Sequence, residues 1–168
     1  MRMRSLALAT GLAFVGLVAA VVFLWPGPGT GPEPIRYGRD ACSGCRMPVS
    51  QPGFGGEMRD ASGTLTKYDD VGCLLRAVLL AHREVPEAWV EDHGGGDFVP
   101  LLAAHLVHAE RPSTPMGYGI VAFGDEAAAR AYAAVHTGRV LGFEDVLRNP
   151  TMVERVPAAR TTDPGRAP

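Results

Sequence analysis

The stretch "TLTKYDDVGCLLRAVLLAHR", Thr64 to Arg83, changes its hydrophobic period partway along. "TLTKYDD" reads as a short strand. From there on Val71, Leu74, Leu75, Val78 and Leu79 recur at helical spacing. Asp69 or Asp70, just ahead of the first apolar residue, supplies the N-cap. Upstream, "FGGEMRD" (54–60) is a second strand, joined through a turn at Ala61 to Gly63. Downstream, "EAWVEDH" (87–93) is a third. The order is strand, strand, helix, strand.

The same order returns in the second half. "HLVHAER" (105–111) and "YGIVAFG" (118–124) read as strands. "DEAAARAYAAVH" (125–136) reads as a helix capped by Asp125 and closed by Gly138. "GRVLGFEDVL" (138–147) starts as a strand and ends as a short helix. No clear sequence identity links the halves, so the repeat is one of structure. Strands with few helices between them predict an α+β fold of two similar strand-strand-helix-strand units, not a doubly wound parallel sheet.

Outside this region the chain changes character. "MRMR" precedes "SLALATGLAFVGLVAAVVFLW", Ser5 to Trp25, which carries no charge. As a helix it spans about 30 Å, the thickness of a bilayer core. The residues after Ala19 and Ala20 are still apolar, which argues for an uncleaved anchor over a cleaved secretory signal. No cysteine lies near the end of the run, so lipoprotein processing is excluded. Arg2 and Arg4 stay cytoplasmic by the positive-inside rule, which exports the rest. "PGPGTGPEP" (26–34) is a Pro/Gly linker, and the Pro-rich end of the chain is poor in large apolar residues. The division is therefore an N-terminal transmembrane helix at 1–25, a linker at 26–36, a folded domain at 37–150 and a disordered tail at 151–168. Localisation in the inner membrane, single-pass, with the folded domain in the periplasm, follows. The net charge of −2 and the pI near 6.2 speak against nucleic acid as a partner. Fifteen of the sixteen basic residues are Arg and only Lys67 is Lys, which reads as composition bias.

The chemistry concentrates in "ACSGCRMPVS", residues 41–50, where Cys42, Cys45 and Met47 fall within six residues. An exported Cys-x-x-Cys pair can close as a disulfide, and a thiol–disulfide oxidoreductase using Cys42 and Cys45 is the alternative function. No strand precedes the pair, however, as a thioredoxin-like motif requires. A structural zinc site needs about four ligands, and no second close pair exists. Thiolate with thioether selects Cu(I). Cys45 and Met47 are two apart, so an extended segment turns both to one face. Met116, between Pro115 and Gly117 in "RPSTPMGYG", is a third sulfur, poorly placed for a core. Asp69 and Asp70 read first as helix caps, with a carboxylate ligand as the alternative. Cys73 reads as a small buried residue or as a redox partner of Cys42. His105 and His108 are three apart on one strand and face opposite ways, so His105 is a further candidate ligand. His82 and His136 lie near helix ends, and His93 lies in a Gly-rich loop. No nucleophile elbow and no phosphate-binding glycine pattern is present, so no enzyme activity is expected.

"CSGCRMPVS", then "KYDDVGC", then "STPMGYGIVAF", then "GRVLGFEDVL" resembles the NosL family across nearly the whole folded part. The resemblance implies a copper(I)-binding chaperone that delivers copper for assembly of the copper centres of nitrous oxide reductase. It implies work with that reductase and its ABC-type maturation complex. It implies two strand-strand-helix-strand units related to the organomercurial lyase fold. Carried over by motif position, Cys45, Met47 and Met116 are the copper ligands; Cys42 and Asp70 remain further candidate ligands from the reading of the residues themselves. Members of the family are often anchored as lipoproteins, whereas this chain carries an apolar segment instead. Both tether the domain to a membrane.

Overall fold

The computed structural model describes residues 31–81, 87–110 and 113–154. The expected membrane anchor at 1–25 lies outside the described residues, as do linker residues 26–30 and tail residues 155–168. The chain divides between Gly31 and Pro32, and the fold belongs to the unit that begins at Pro32. No helix among the described residues is long and apolar enough to cross a membrane.

Strands β1 (Gly56–Arg59) and β2 (Leu65–Tyr68) pair antiparallel, with Glu57 opposite Lys67. Asp60 closes their turn by accepting from the backbone N–H groups of Ser62 and Thr64. Helix α1 (Val71–Leu80) follows, then β3 (Glu87–Glu91) and β4 (Phe98–Pro100). The second half repeats the sequence with β5 (His105–His108), β6 (Ile120–Phe123), α2 (Glu126–Val135) and β7 (Arg139–Leu141). Short helices α3 (Phe143–Arg148) and α4 (Thr151–Glu154) end the described chain.

The sheet orders are β2-β1-β3-β4 and β6-β5-β7, antiparallel throughout. In each half the first strand lies in the middle, with the strand before the helix on one side and the strand after it on the other. A parallel bridge between Asp92 and Ala122 joins the two sheets.

Alternation along the strands sends side chains to opposite faces. Tyr68, Ala88 and Val90 pack with Leu74, Leu75 and Val78 of α1. The second sheet is covered on both sides. Leu106, Ile120 and Ala122 join the α1 core, while Val107, Val121 and Phe123 pack with Ala129 and Ala133 of α2. Each fully buried Val or Leu contributes about 1.5–3 kcal/mol, so the core faces of these short strands hold the sheets together.

The other face of the first sheet is polar. It carries Glu57 and Glu91, both fully buried, and Lys67. The Lys67 ammonium donates to the Pro34 carbonyl at 2.8 Å and to Asp40 at 2.9 Å, and lies 3.5 Å from Glu57. Glu91 accepts from the backbone of Gly53 and Gly55 and from the Tyr37 hydroxyl. The solitary lysine is thus a chemical choice at its position. A compact ammonium with three protons serves three acceptors from different directions, which a planar guanidinium does not.

Several expectations are corrected. Strand β4 is an addition to the expected strands; it lies at the sheet edge, where the proline that ends "FVP" is tolerated. Residues 32–36 are not free linker: Ile35 is buried and the Glu33 amide donates to Glu57. Residues 151–154, expected in the disordered tail, form α4, whose Val153 is fully buried. Helix α2 is closed by Thr137, not Gly138. Thr137 takes the left-handed conformation at φ 54°, and the Gly138 amide bonds back to the Ala133 carbonyl at 2.8 Å. Gly138 is required for another reason: a Cβ there would lie 2.9 Å from both Ala109 and Val107.

Candidate metal centre

Three segments meet at the start of α1. The first is a tight loop in which the Cys42 amide donates to the Met47 carbonyl at 2.8 Å and the Arg46 amide to the Cys42 carbonyl at 2.9 Å. The segment is a closed turn, not the extended run expected from the Cys45–Met47 spacing. Arg46 takes φ 68° to close it, which costs a residue with a Cβ on the order of 1 kcal/mol. The second segment is the first turn of α1 with Cys73. The third is the turn 114–117, which carries Met116.

The pair "DD" fastens them. Asp69 Oδ1 accepts from the Ser50 amide at 2.6 Å and the Ser50 hydroxyl at 3.0 Å, holding the cysteine loop. Asp70 is the N-cap: Oδ1 accepts from the Gly72 amide at 2.8 Å. Its Oδ2 accepts from the Thr114 hydroxyl at 2.6 Å and the Met116 amide at 2.9 Å, holding the methionine loop. Asp70 is fully buried with both oxygens hydrogen-bonded, so its part is to position the loop. Burial pushes its pKa up, against the pull of the Thr114 and backbone donors. Gly72 lets the Tyr118 ring lie on the helix start, where a Cβ would come within 2.1 Å of it. The amide of Ser43 donates to the Lys67 carbonyl, seating the loop on the end of β2.

The result is a cluster in which the sulfurs of Cys42, Cys45 and Cys73 lie within 4.8 Å of one another. Among the described residues it is the group of His, Cys, Asp and Glu side chains with metal-binding geometry. None of the three cysteines is in a disulfide. Cys42 and Cys73 are buried and Cys45 is half-buried at the rim. The Cys42 thiol is pulled down to about 5, first by the Cys73 S–H that donates to it and then, against burial, by the backbone N–H groups of Asp69 and Cys45. Cys73 is pushed up by donating to Cys42 and by burial, and Cys45 is pushed up mainly by burial. The arrangement favours the thiolate at Cys42 and the thiols at Cys45 and Cys73.

Met47 adjoins Cys45 in the loop and is 47% exposed. Met116, read from its Pro–Gly neighbours as poorly placed for a core, is partly buried and packs against the core cluster that includes Cys42 and Cys73. His105 is elsewhere, on β5 opposite Phe123 and in the electrostatic reach of Glu126 at the start of α2. His93 and His136 flank Tyr132 at ring distances of 5.2 and 4.1 Å, in the α2 cluster. His82 lies outside the described residues. Cys73 is the residue that sequence reasoning placed least well. The signal was its position one helical turn after the capping aspartate, which turns it to the loops that the aspartates hold.

The fold defined by these two sheets is that of a known metal carrier. The crystal structure of the copper chaperone NosL from Shewanella denitrificans superposes with a TM-score of 0.63, at 19% sequence identity, covering 70% of this chain and 96% of that one. The NosL family profile matches residues 36–151, and this chain belongs to the NosL family. No curated protein matches the chain closely enough to count as a relative.

Proposed function

We propose that the chain is a membrane-tethered periplasmic carrier of cuprous ion. It supplies copper for assembly of the copper centres of nitrous oxide reductase, together with that enzyme's ABC-type maturation complex. The observation that carries copper binding is the convergence of three free thiols at the foot of α1, with two methionines on the loops around them. Soft sulfur donors and no partnered oxygen or imidazole are what Cu(I) selects. Cys45, Met47 and Met116 are the proposed ligands, and Cys45 belongs to both this set and the thiol trio. Cys45 and Met47 stand at the rim, so an ion bound there is taken up and released by ligand exchange without opening the core. Cys42 and Cys73 form the buried back of the site.

The test is an anaerobic titration of the full chain, in zwitterionic detergent, with cuprous ion against a competing chelator. About one equivalent should bind, and Cys45→Ser, Met47→Ala and Met116→Ala should each weaken it by roughly tenfold or more, a loss of about 1.4 kcal/mol. Binding that ignores all three substitutions removes the assigned site. A second reading, an exported thiol–disulfide oxidoreductase using Cys42 and Cys45, draws on the closeness of the Cys42 thiolate to two thiols. It requires turnover in a disulfide-reduction assay and indifference to Met47→Ala.

A further inference from the structure

Residues 36–50 contain three arginines and one carboxylate, Asp40. The fold sorts them by sign. The Gly38 amide donates to the Val49 carbonyl and the Val49 amide to the Asp40 carbonyl, each at 2.8 Å, and Ala41 bridges antiparallel to Pro48, so residues 38–42 run beside 47–49 as a small hairpin. Exposure alternates along its first arm: Arg39 and Ala41 face out, Asp40 and Cys42 face in. Asp40 is taken up inside by Arg36 at 2.7 Å and Lys67 at 2.9 Å. Asp69 and Asp70, the acidic groups beneath, are buried and hydrogen-bonded to Ser50, Thr114 and backbone amides. The side chains that reach solvent include Arg39, Arg46 and the thioether of Met47, beside Arg36, whose exposed guanidinium is paired with Asp40. Among the described residues, no carboxylate lies within ion-pair distance of either arginine. Arg46 holds this place in a left-handed backbone that glycine or asparagine takes more readily.

We propose that the outer face of this hairpin, with Arg39, Arg46 and Met47, is the docking surface for an acidic segment of the protein that receives or supplies the metal. The proposal rests on the copper-carrier reading and adds the chemistry of the partner. Guanidinium groups at a rim steer an acidic partner and hold its register. The exposed thioether of Met47, next to Arg46 in the chain, gives a polypeptide an apolar and metal-competent contact that a phospholipid headgroup cannot use. Arg46 stands between Cys45 and Met47 in the chain and Arg39 lies on the facing arm of the same hairpin, so docking and ligand exchange occur on one loop.

The experiment uses the metal-free full chain, isotopically labelled, in nanodiscs of zwitterionic lipid. Backbone amide NMR spectra are followed against two synthetic peptides, one alternating Glu and Met, the other Lys and Met. The Glu–Met peptide should shift amides within residues 38–48, the Lys–Met peptide should not, and the effect should fade as salt shortens the screening length. Arg39→Gln alone should weaken the peptide by roughly two- to five-fold, and Arg39→Gln with Arg46→Gln by roughly tenfold, the remaining amide dispersion reporting an intact fold. Equal response to both peptides, no response to either, shifts that map elsewhere, or variants that bind as the parent does would overturn the proposal. So would vesicles of phosphatidylglycerol that shift these amides when the Glu–Met peptide does not. No copper is present, so these outcomes judge the surface, while the copper reading stands or falls on the cuprous titration.

Discussion

Met116 donates its backbone N–H to Oδ2 of Asp70 at 2.9 Å across 46 residues of sequence. The other oxygen of the same carboxylate caps α1 at Gly72. The helix that carries Cys73 and the loop that carries Met116 are therefore fixed to each other by a single side chain. Replacing Asp70 with Ala removes a cap worth about 1 kcal/mol. It also leaves a buried hydroxyl and a half-buried amide without an acceptor, at about 1–3 kcal/mol. Unfolding free energy from urea titration should fall by about 2–4 kcal/mol, and cuprous affinity should fall with it although no sulfur is touched. A loss below about 0.5 kcal/mol would falsify the dual role.

The thiolate at Cys42 has a spectroscopic signature. Absorbance near the thiolate band should rise by one group as pH passes about 5, the value to which Cys73 and the backbone amides bring Cys42. The step should vanish in Cys42→Ser. Cys73→Ala removes the thiol that donates to Cys42, so the midpoint should move up by about 1 unit or more. An unmoved midpoint in Cys73→Ala means that the amides alone hold the thiolate.

Proton release separates two donor sets. Ligating thiols must be deprotonated, so metal binding liberates their protons. Near neutral pH Cys42 is already a thiolate, while Cys45 and Cys73 are held as thiols. A site of Cys45, Met47 and Met116 should release about one proton per cuprous ion, and a site of all three cysteines about two. Calorimetry in buffers of differing ionisation enthalpy reads the number, and the proposed ligand set requires the smaller one.

Acid should loosen the N-terminal arm through Asp40. Its carboxyl is held well below the usual range, first by the Arg36 side chain and then by the Arg36 amide and Lys67. An acid depressed in the folded state contributes stability above its unfolded pKa, near 4, and loses it as pH falls through the folded value. Urea midpoints should therefore drop on acidification below about pH 4. Asp40→Asn should be less stable at neutral pH and flatter in that acid range. Parallel curves for parent and variant would exclude Asp40 as the source.

The last described turn is part of the core. Val153 of α4 is fully buried against α1, so Val153→Ala removes two buried carbons worth about 0.8 kcal/mol each before any cavity cost. The loss in unfolding free energy should be about 1–3 kcal/mol. An unaffected melting transition would show that residues 151–154 do not contribute to the domain.

Much of this was legible in one dimension. The helical period from Val71 and the aspartates ahead of it located α1 and its cap, because both signals are local. Met116 was singled out from its Pro–Gly neighbours, and its loop is tied through Asp70 to the start of α1. Lys67 was passed over as composition, because nothing near it in the chain shows that Asp40 and Glu57 converge on it. Val153 was passed over because a four-residue helix has no periodicity to read. The Cys45–Met47 spacing was misread as extended, since the i to i+4 closure depends on Arg46 entering a backbone region that arginine seldom takes.

By itself the sequence determined the repeated strand-strand-helix-strand order, the family, and the sulfur-rich composition of the loop, all of which rest on residue type and near-neighbour spacing. Only the tertiary structure decided which sulfurs meet. Cys73 joins Cys42 and Cys45 because Asp69 and Asp70 tie two distant loops to one helix end. Those hydrogen bonds form where burial removes competing water, and burial is a property of the assembled sheets and not of any segment.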